Sequence, residues 1–68
     1  MTTPRLTNRD LTVLRAVPFL AATWTVEVAN DTGLTHGVAY ETLRRLEAMG
    51  EIVRVLGGNG RPVKWRRA

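Results

Sequence analysis

The side chains able to do chemistry are few, and most of them are cations. The chain holds ten Lys and Arg against six Asp and Glu, with a single histidine and no cysteine. It also contains no serine. No Ser-based triad can therefore be assembled. The missing cysteine removes thiolate metal sites, thiol nucleophiles and disulfides. The six acids are scattered, and none forms an obvious close pair for acid–base work. His36 has no second ligand type at a suitable spacing, so no metal is expected. Gly57-Gly58-Asn59-Gly60 is glycine-rich. It lacks the Lys-Ser/Thr of a phosphate-binding P-loop, and no helix is expected after it. The sequence predicts no enzyme and no cofactor.

What remains is charge, and it is unevenly placed. Residues 1–34 carry Arg5, Arg9 and Arg15 against Asp10, Glu27 and Asp31, which cancel. Residues 35–68 carry Arg44, Arg45, Arg54, Arg61, Lys64, Arg66 and Arg67 against Glu41, Glu47 and Glu51. The whole net charge of +4 therefore sits in the second half, and no acid follows Glu51. One-sided positive charge is the footprint of a polyanion partner.

The elements that must position these cations are legible. Residues 1–6 read as a loose arm. Thr7-Asn8-Arg9-Asp10 has the form of a capping box. Leu11, Leu14 and Val17 follow at helical spacing, with Val13 beside them. A first helix is expected from about Asn8. At Pro18 it either kinks or stops, with a short second turn starting there. Phe19 and Leu20 are expected in the core in both cases, and so is Trp24. Thr25 is expected to cap a second helix with an apolar stripe of Val26, Val28 and Ala29. Gly33 suits the left-handed position that ends it. Leu34 should turn inward, and Thr35 should cap a third helix from about His36 to Met49, closed by Gly50. At 100° per residue, Ala39, Leu43 and Leu46 share one face with Thr42 at its edge. Gly37, Glu41, Arg44 and Ala48 lie opposite, flanked by Val38, Tyr40 and Arg45. Ile52–Leu56 reads as a strand, residues 57–60 as a turn, and Pro62–Arg67 as the returning strand. Val63 and Trp65 share one face of that strand, and Lys64 and Arg66 the other.

The expected fold is α+β, mostly α: a winged helix-turn-helix, three helices followed by a two-stranded β-hairpin wing. It is one domain, with the helix-turn-helix at 25–50 and the wing at 52–67. Two helices joined by a short turn containing glycine form the helix-turn-helix unit. Its second helix enters the major groove of double-stranded DNA.

Thr35-His36-Gly37-Val38-Ala39-Tyr40-Glu41-Thr42-Leu43-Arg44-Arg45-Leu46-Glu47-Ala48-Met49-Gly50-Glu51-Ile52 resembles the recognition helix of PadR-type winged-helix repressors. Gly60-Arg61-Pro62 and the basic and aromatic residues after it resemble the wing of PadR and MarR-like proteins. The similarity covers roughly residues 25–67. Glu51 departs from it, standing where that family usually has an apolar residue. PadR-type regulators continue into a C-terminal dimerising and sensing region, whereas this sequence stops at Ala68. Dimerisation and effector response therefore do not carry over with the resemblance.

The DNA-facing residues expected on the third helix are Thr35, His36, Gly37, Val38, Tyr40, Glu41, Arg44 and Arg45. Those on the wing are Arg61, Lys64 and Arg66. The helix N-terminus at Thr35–Gly37 offers backbone amides to a phosphate, and Gly37 permits close approach. Arg44 can reach a guanine edge or a phosphate. Tyr40 offers its hydroxyl to a phosphate and its ring to a thymine methyl. Arg61 suits minor-groove insertion, with Lys64 and Arg66 on the backbone. Plainer readings stand beside these. Arg44 and Arg45 could form a solvated face, and Glu41 and Arg45 an i,i+4 pair. Glu47 reads as a solubilising residue, and Trp65 as the core lid of the wing.

The expected activity is sequence-specific binding of double-stranded DNA, as a transcriptional repressor. An architectural DNA-binding protein of a phage or plasmid, acting in excision, partition or replication, is the first alternative. A winged-helix protein-interaction module is the second. The longest apolar stretch, Ala16–Ala22, is far shorter than the ~20 residues of a membrane span. No signal-peptide pattern opens the sequence. The expected location is cytoplasmic, on the nucleoid when bound, with no membrane contact. A homodimer or an array on DNA is expected, with the first helix and the arm as contact surfaces.

Overall fold

The fold follows from three capped helices whose apolar faces close over a small sheet. The structure, a computed structural model, describes residues 5–58 and 60–68. Most of the expected arm, residues 1–4, and Asn59 of the expected turn lie outside the described residues. Leu6, the last residue of that arm, is not loose but packs against the core.

Helix α1 spans Asn8–Ala16, behind a capping box. The Asp10 amide donates to the Thr7 hydroxyl at 3.1 Å. The Thr7 amide donates to the Asp10 carboxylate at 2.9 Å. Val13, Leu14 and Val17 face inward and are buried. Pro18 disfavours helical backbone in the residue before it. Val17 is accordingly extended, and the helix stops instead of kinking. No helical turn forms at 18–22. Phe19 and Leu20 are not in the core as the sequence suggested: they are 73% and 101% exposed. The chain must cross the surface here to reach the sheet edge, which takes both side chains outward.

Strand β1 is two residues, Thr23–Trp24. Helix α2 follows directly as Thr25–Thr32, with Trp24 at its N-cap and no side-chain cap. Thr25 is thus not the cap the sequence suggested. Its hydroxyl donates instead to the Val63 carbonyl at 3.2 Å. Val28 and Ala29 are buried, but Val26 is 53% exposed. Val26 lies 200° around the helix from Val28, so one face cannot hold both. Gly33, with φ +74°, takes the left-handed position that ends α2.

Helix α3 spans His36–Ala48 and is capped by Thr35, whose hydroxyl accepts from the Val38 amide at 3.2 Å. Ala39, Thr42, Leu43 and Leu46 are its buried face. Its C-terminus closes with two reaching amides. Glu51 donates to the Leu46 carbonyl and Gly50 to the Glu47 carbonyl, each at 3.0 Å. That is the Schellman arrangement.

Strands β2 (Ile52–Gly58) and β3 (Arg61–Arg67) form an antiparallel hairpin. The expected two-stranded wing is extended: β1 joins the free side of β3, giving a three-stranded sheet of order β1-β3-β2. Thr23 pairs with Trp65, and Trp24 with Lys64. The β2–β3 register shifts between Arg54 and Leu56 and again between Leu56 and Gly58. Gly57 sits inside the second shift with φ +96°. A Cβ at Gly57 would lie on the Pro62 carbonyl, so only glycine fits.

Trp65 and Val63 point inward from β3 and are buried, as their shared face predicted. Trp65 is fully buried and meets Leu43, Leu46, Ile52, Val13 and Val28 in one core cluster. The fold is therefore a small α+β arrangement of three helices and a three-stranded antiparallel sheet.

Candidate nucleic-acid interface

Helix α3 buries one stripe and turns the other outward. Gly37, Glu41, Arg44, Arg45 and Ala48 are exposed, as are Thr35 and His36 at the start. Val38 and Tyr40 are half-buried at the edge of the stripe. The His36 and Gly37 amides belong to the first turn, where a helix offers no intrahelical acceptor.

Behind this face the side chains interlock. The Tyr40 ring lies 6.2 Å from the Trp65 ring at 59°. The Arg54 guanidinium stacks over Trp65 at 5.2 Å and reaches Glu47 at 3.5 Å. Glu47 also lies 3.8 Å from Arg44. It is therefore a bridge between two arginines, not only a solubilising residue. The Arg44 guanidinium sits 6.0 Å from the Tyr40 ring centroid. Arg44, and Arg54 with it, hold the Tyr40 phenol below its ordinary pKa of 10.0, against the opposing effect of burial.

The β2–β3 hairpin carries the other exposed cations of the basic half. Arg61 and Arg66 are exposed, and Lys64 is half-buried. The Lys64 ammonium rests 5.0 Å from the Trp24 ring centroid. An open cleft of about 620 Å³ separates the wing tip from the helices. Its walls are Trp24–Val26 at the start of α2, His36 at the start of α3, and Gly60–Val63. A smaller hollow of about 270 Å³ adjoins it and includes Tyr40. His36 and Tyr40 of α3 thus share one surface with Arg61 of β3.

Other expected site residues are placed differently. Arg45 turns toward the start of α1, with its Nε 3.3 Å from the buried Asp10 carboxylate. This replaces the i,i+4 pair with Glu41, because Asp10 is fixed by its capping box and Glu41 is free in solvent. Arg45 and Glu41 line a separate, polar hollow of about 500 Å³ beside Thr7–Asp10. Two cations from the basic half are used inside the fold. Arg54 stacks on Trp65, as above. Arg67 donates from Nε to the Val17 carbonyl at 2.8 Å and from its terminal nitrogen to the Leu14 carbonyl at 2.6 Å. It thereby caps the C-terminus of α1, and it stacks 4.2 Å from the Phe19 ring centroid.

The sequence missed Trp24 and Pro62 as cleft walls. Trp24 had been expected in the core, and it is half-buried. No periodic signal marks a two-residue strand, so its position depended on pairing with β3.

No protein-family model matches this chain, and no curated protein matches it. Among the described residues no group of three or more His, Cys, Asp or Glu could hold a metal ion. No helix among them is long and apolar enough to cross a membrane.

Proposed function

We propose that this chain binds double-stranded DNA as a winged helix-turn-helix protein of the PadR/MarR-like kind that the sequence resembles. In this reading α3 enters the major groove. The hairpin of β2 and β3 is the wing and meets the backbone and minor groove. The regulatory role that fits is transcriptional repression through sequence-specific binding.

One observation carries the reading. The exposed N-terminus of α3 and the basic tip of the wing face the same cleft, with His36 on one side and Arg61 on the other. A duplex strand passing between them would meet helix amides, a guanidinium and the Tyr40 hydroxyl together. Phosphate contacts of this type fix register, while exposed side chains of α3 are left to read base edges. Arg44 is the leading candidate for that role. Thr35, His36, Gly37 and Tyr40 position the helix. Arg61, Lys64 and Arg66 position the wing. Arg45, held toward Asp10, has a lesser part. The excess of positive charge over residues 35–68 supports the choice of a polyanion.

The test is selection from random double-stranded DNA pools at two salt concentrations. An enriched motif that survives the higher salt supports specific recognition. Salt-sensitive binding without enrichment favours an architectural role. No binding at either salt overturns the DNA reading in favour of a protein partner.

A further inference from the structure

The exposed stripe of α3 has two flanks, each bordered by its own hollow. His36 and Tyr40 border the hollow toward β3. Glu41, Thr42 and Arg45 border the polar hollow of about 500 Å³ beside the start of α1. Arg45 lies about 140° around the helix from Tyr40 and about 180° from His36, with Gly37 and Arg44 between. The two hollows therefore stand on opposite sides of the face that carries Arg44. Side chains included, a helix is about 10–12 Å across, and the major groove of DNA is about 12 Å wide. A helix seated in that groove has one sugar–phosphate strand along each flank.

On the α1 side one guanidinium is held in a fixed pose. The Asp10 side chain is 3% exposed. Its Oδ2 accepts from the Thr7 amide at 2.9 Å and lies 3.3 Å from the Arg45 Nε. The capping box fixes that oxygen on the first turn of α1. A buried carboxylate keeps its charge at low cost only when paired, so Arg45 stays with it. The Arg45 side chain is nonetheless half open to solvent, at 52% exposed. A guanidinium has five N–H donors in a rigid fork, of which Nε carries one and the terminal nitrogens four. One end of the fork can serve Asp10 while the other serves an outside acceptor. A lysine ammonium is a single point charge and cannot be divided in this way. Arg9 and Glu41 border the same hollow and are exposed, and their charges offset each other.

We propose that Arg45 bonds a phosphate of the second DNA strand, and that Asp10 is the positioning residue that aims it. Resting on the DNA reading above, this contact lies on the flank away from the wing. One strand then runs through the cleft of His36 and Arg61 and the other past Arg45, so α3 is held from both sides. Arg44, between the flanks, is left to the base edges. Arg45 contacts the backbone alone, which fixes register without reading sequence. The Asp10–Arg45 pair also joins α1 to α3 within the chain, so the placement of α1 governs how the second strand is met.

Fluorescence anisotropy of a labelled duplex drawn from the bound pool, over a salt series and below every melting transition, tests this. Arg45→Lys keeps the net charge and the pair with Asp10, so it should fold with near-parent stability. Its ammonium cannot serve both partners. The dissociation constant should therefore rise about tenfold and the salt slope fall by about one. Asp10→Asn removes a negative charge, which by itself strengthens binding to DNA. It should instead weaken binding at least about threefold, because Arg45 loses its aim. Added to Arg45→Lys, Asp10→Asn should weaken binding no further, whereas a merely structural Asp10 would act alike in both backgrounds. Parent affinity and slope in Arg45→Lys overturn the proposal. So does an Asp10→Asn variant that binds as tightly as the parent or tighter, or that weakens both backgrounds equally. Arg61→Ala on the wing tells the two levels apart. If it lowers the slope while Arg45→Lys does not, only the second-strand contact fails. A parent chain without salt-dependent binding refutes the DNA reading itself, and this contact with it.

Discussion

The indole Nε1 of Trp65 donates to the Thr25 hydroxyl at 2.8 Å, across 40 positions of sequence. The same hydroxyl donates to the Val63 carbonyl at 3.2 Å. One small side chain thus ties the first residue of α2 to two positions of β3. The link holds β3 against α2, on either side of the cleft that His36 and Arg61 line.

Thr25→Val keeps the shape and removes both bonds. It leaves a buried indole N–H without its acceptor, which costs about 1–3 kcal/mol. Thr25→Ser should retain most of the stability. Denaturant unfolding of the two variants checks this, and equal stability of Thr25→Val and the parent chain would refute it.

Arg67 and Arg61 belong to the same basic run but should respond differently. Arg67→Met removes two hydrogen bonds from a charged donor to the end of α1, each worth about 1.5–3 kcal/mol. It should lower stability with little change in the salt dependence of DNA binding. Arg61→Ala should leave stability unchanged within about 0.5 kcal/mol and reduce the salt slope by about one. Unfolding curves and binding isotherms over a salt series separate the two. An unchanged slope for Arg61→Ala would remove it from the proposed interface.

Tyr40 is the single tyrosine, so its ionisation can be followed by ultraviolet absorbance. With Arg44 beside it, its phenol ionises below 10.0 in the folded chain. A lowered folded pKa means that the phenolate is favoured by folding. Its contribution to stability is fully present above the unfolded pKa and is lost as pH falls through the folded one. Arg44→Leu should move the titration upward. A midpoint that stays in place would show that Arg44 does not act on the phenol.

Gly57 and Gly60 both have positive φ, but their surroundings differ. A Cβ at Gly57 collides with the Pro62–Val63 backbone, and one at Gly60 meets nothing within 4 Å. Gly60→Ala should cost about 1–2 kcal/mol from its backbone conformation alone. Gly57→Ala should cost more and disturb the wing, because backbone atoms of β3 must move. Equal melting temperatures for the two variants would contradict this close approach.

Local signals were legible where the residues answer to their near neighbours. Thr7 and Asp10 cap each other three residues apart. Gly33 and Gly50 end helices by their own conformational freedom. The 3.6-residue repeat of Ala39, Leu43 and Leu46 and the two-residue alternation of Val63 and Trp65 fix inner faces by geometry alone. The sequence by itself therefore determined the helices, the hairpin, most of the core and the exposed basic face of α3.

Tertiary structure decided what depends on distant partners. Thr23 and Trp24 become a strand only because β3 offers them a free edge. Phe19 and Leu20 look like core residues by type, yet they lie where the chain has to cross the surface. Arg45, Arg54 and Arg67 carry the same charge as Arg44 and Arg61. Three of them are drawn to Asp10, Trp65 and the end of α1, each brought near by folding. Charge and hydrophobicity are properties of a residue, but a hydrogen bond or a stacked ring needs a partner at the right distance. Such partners, 35 to 53 positions away for Arg45 and Arg67, exist only once the helices have closed over the sheet.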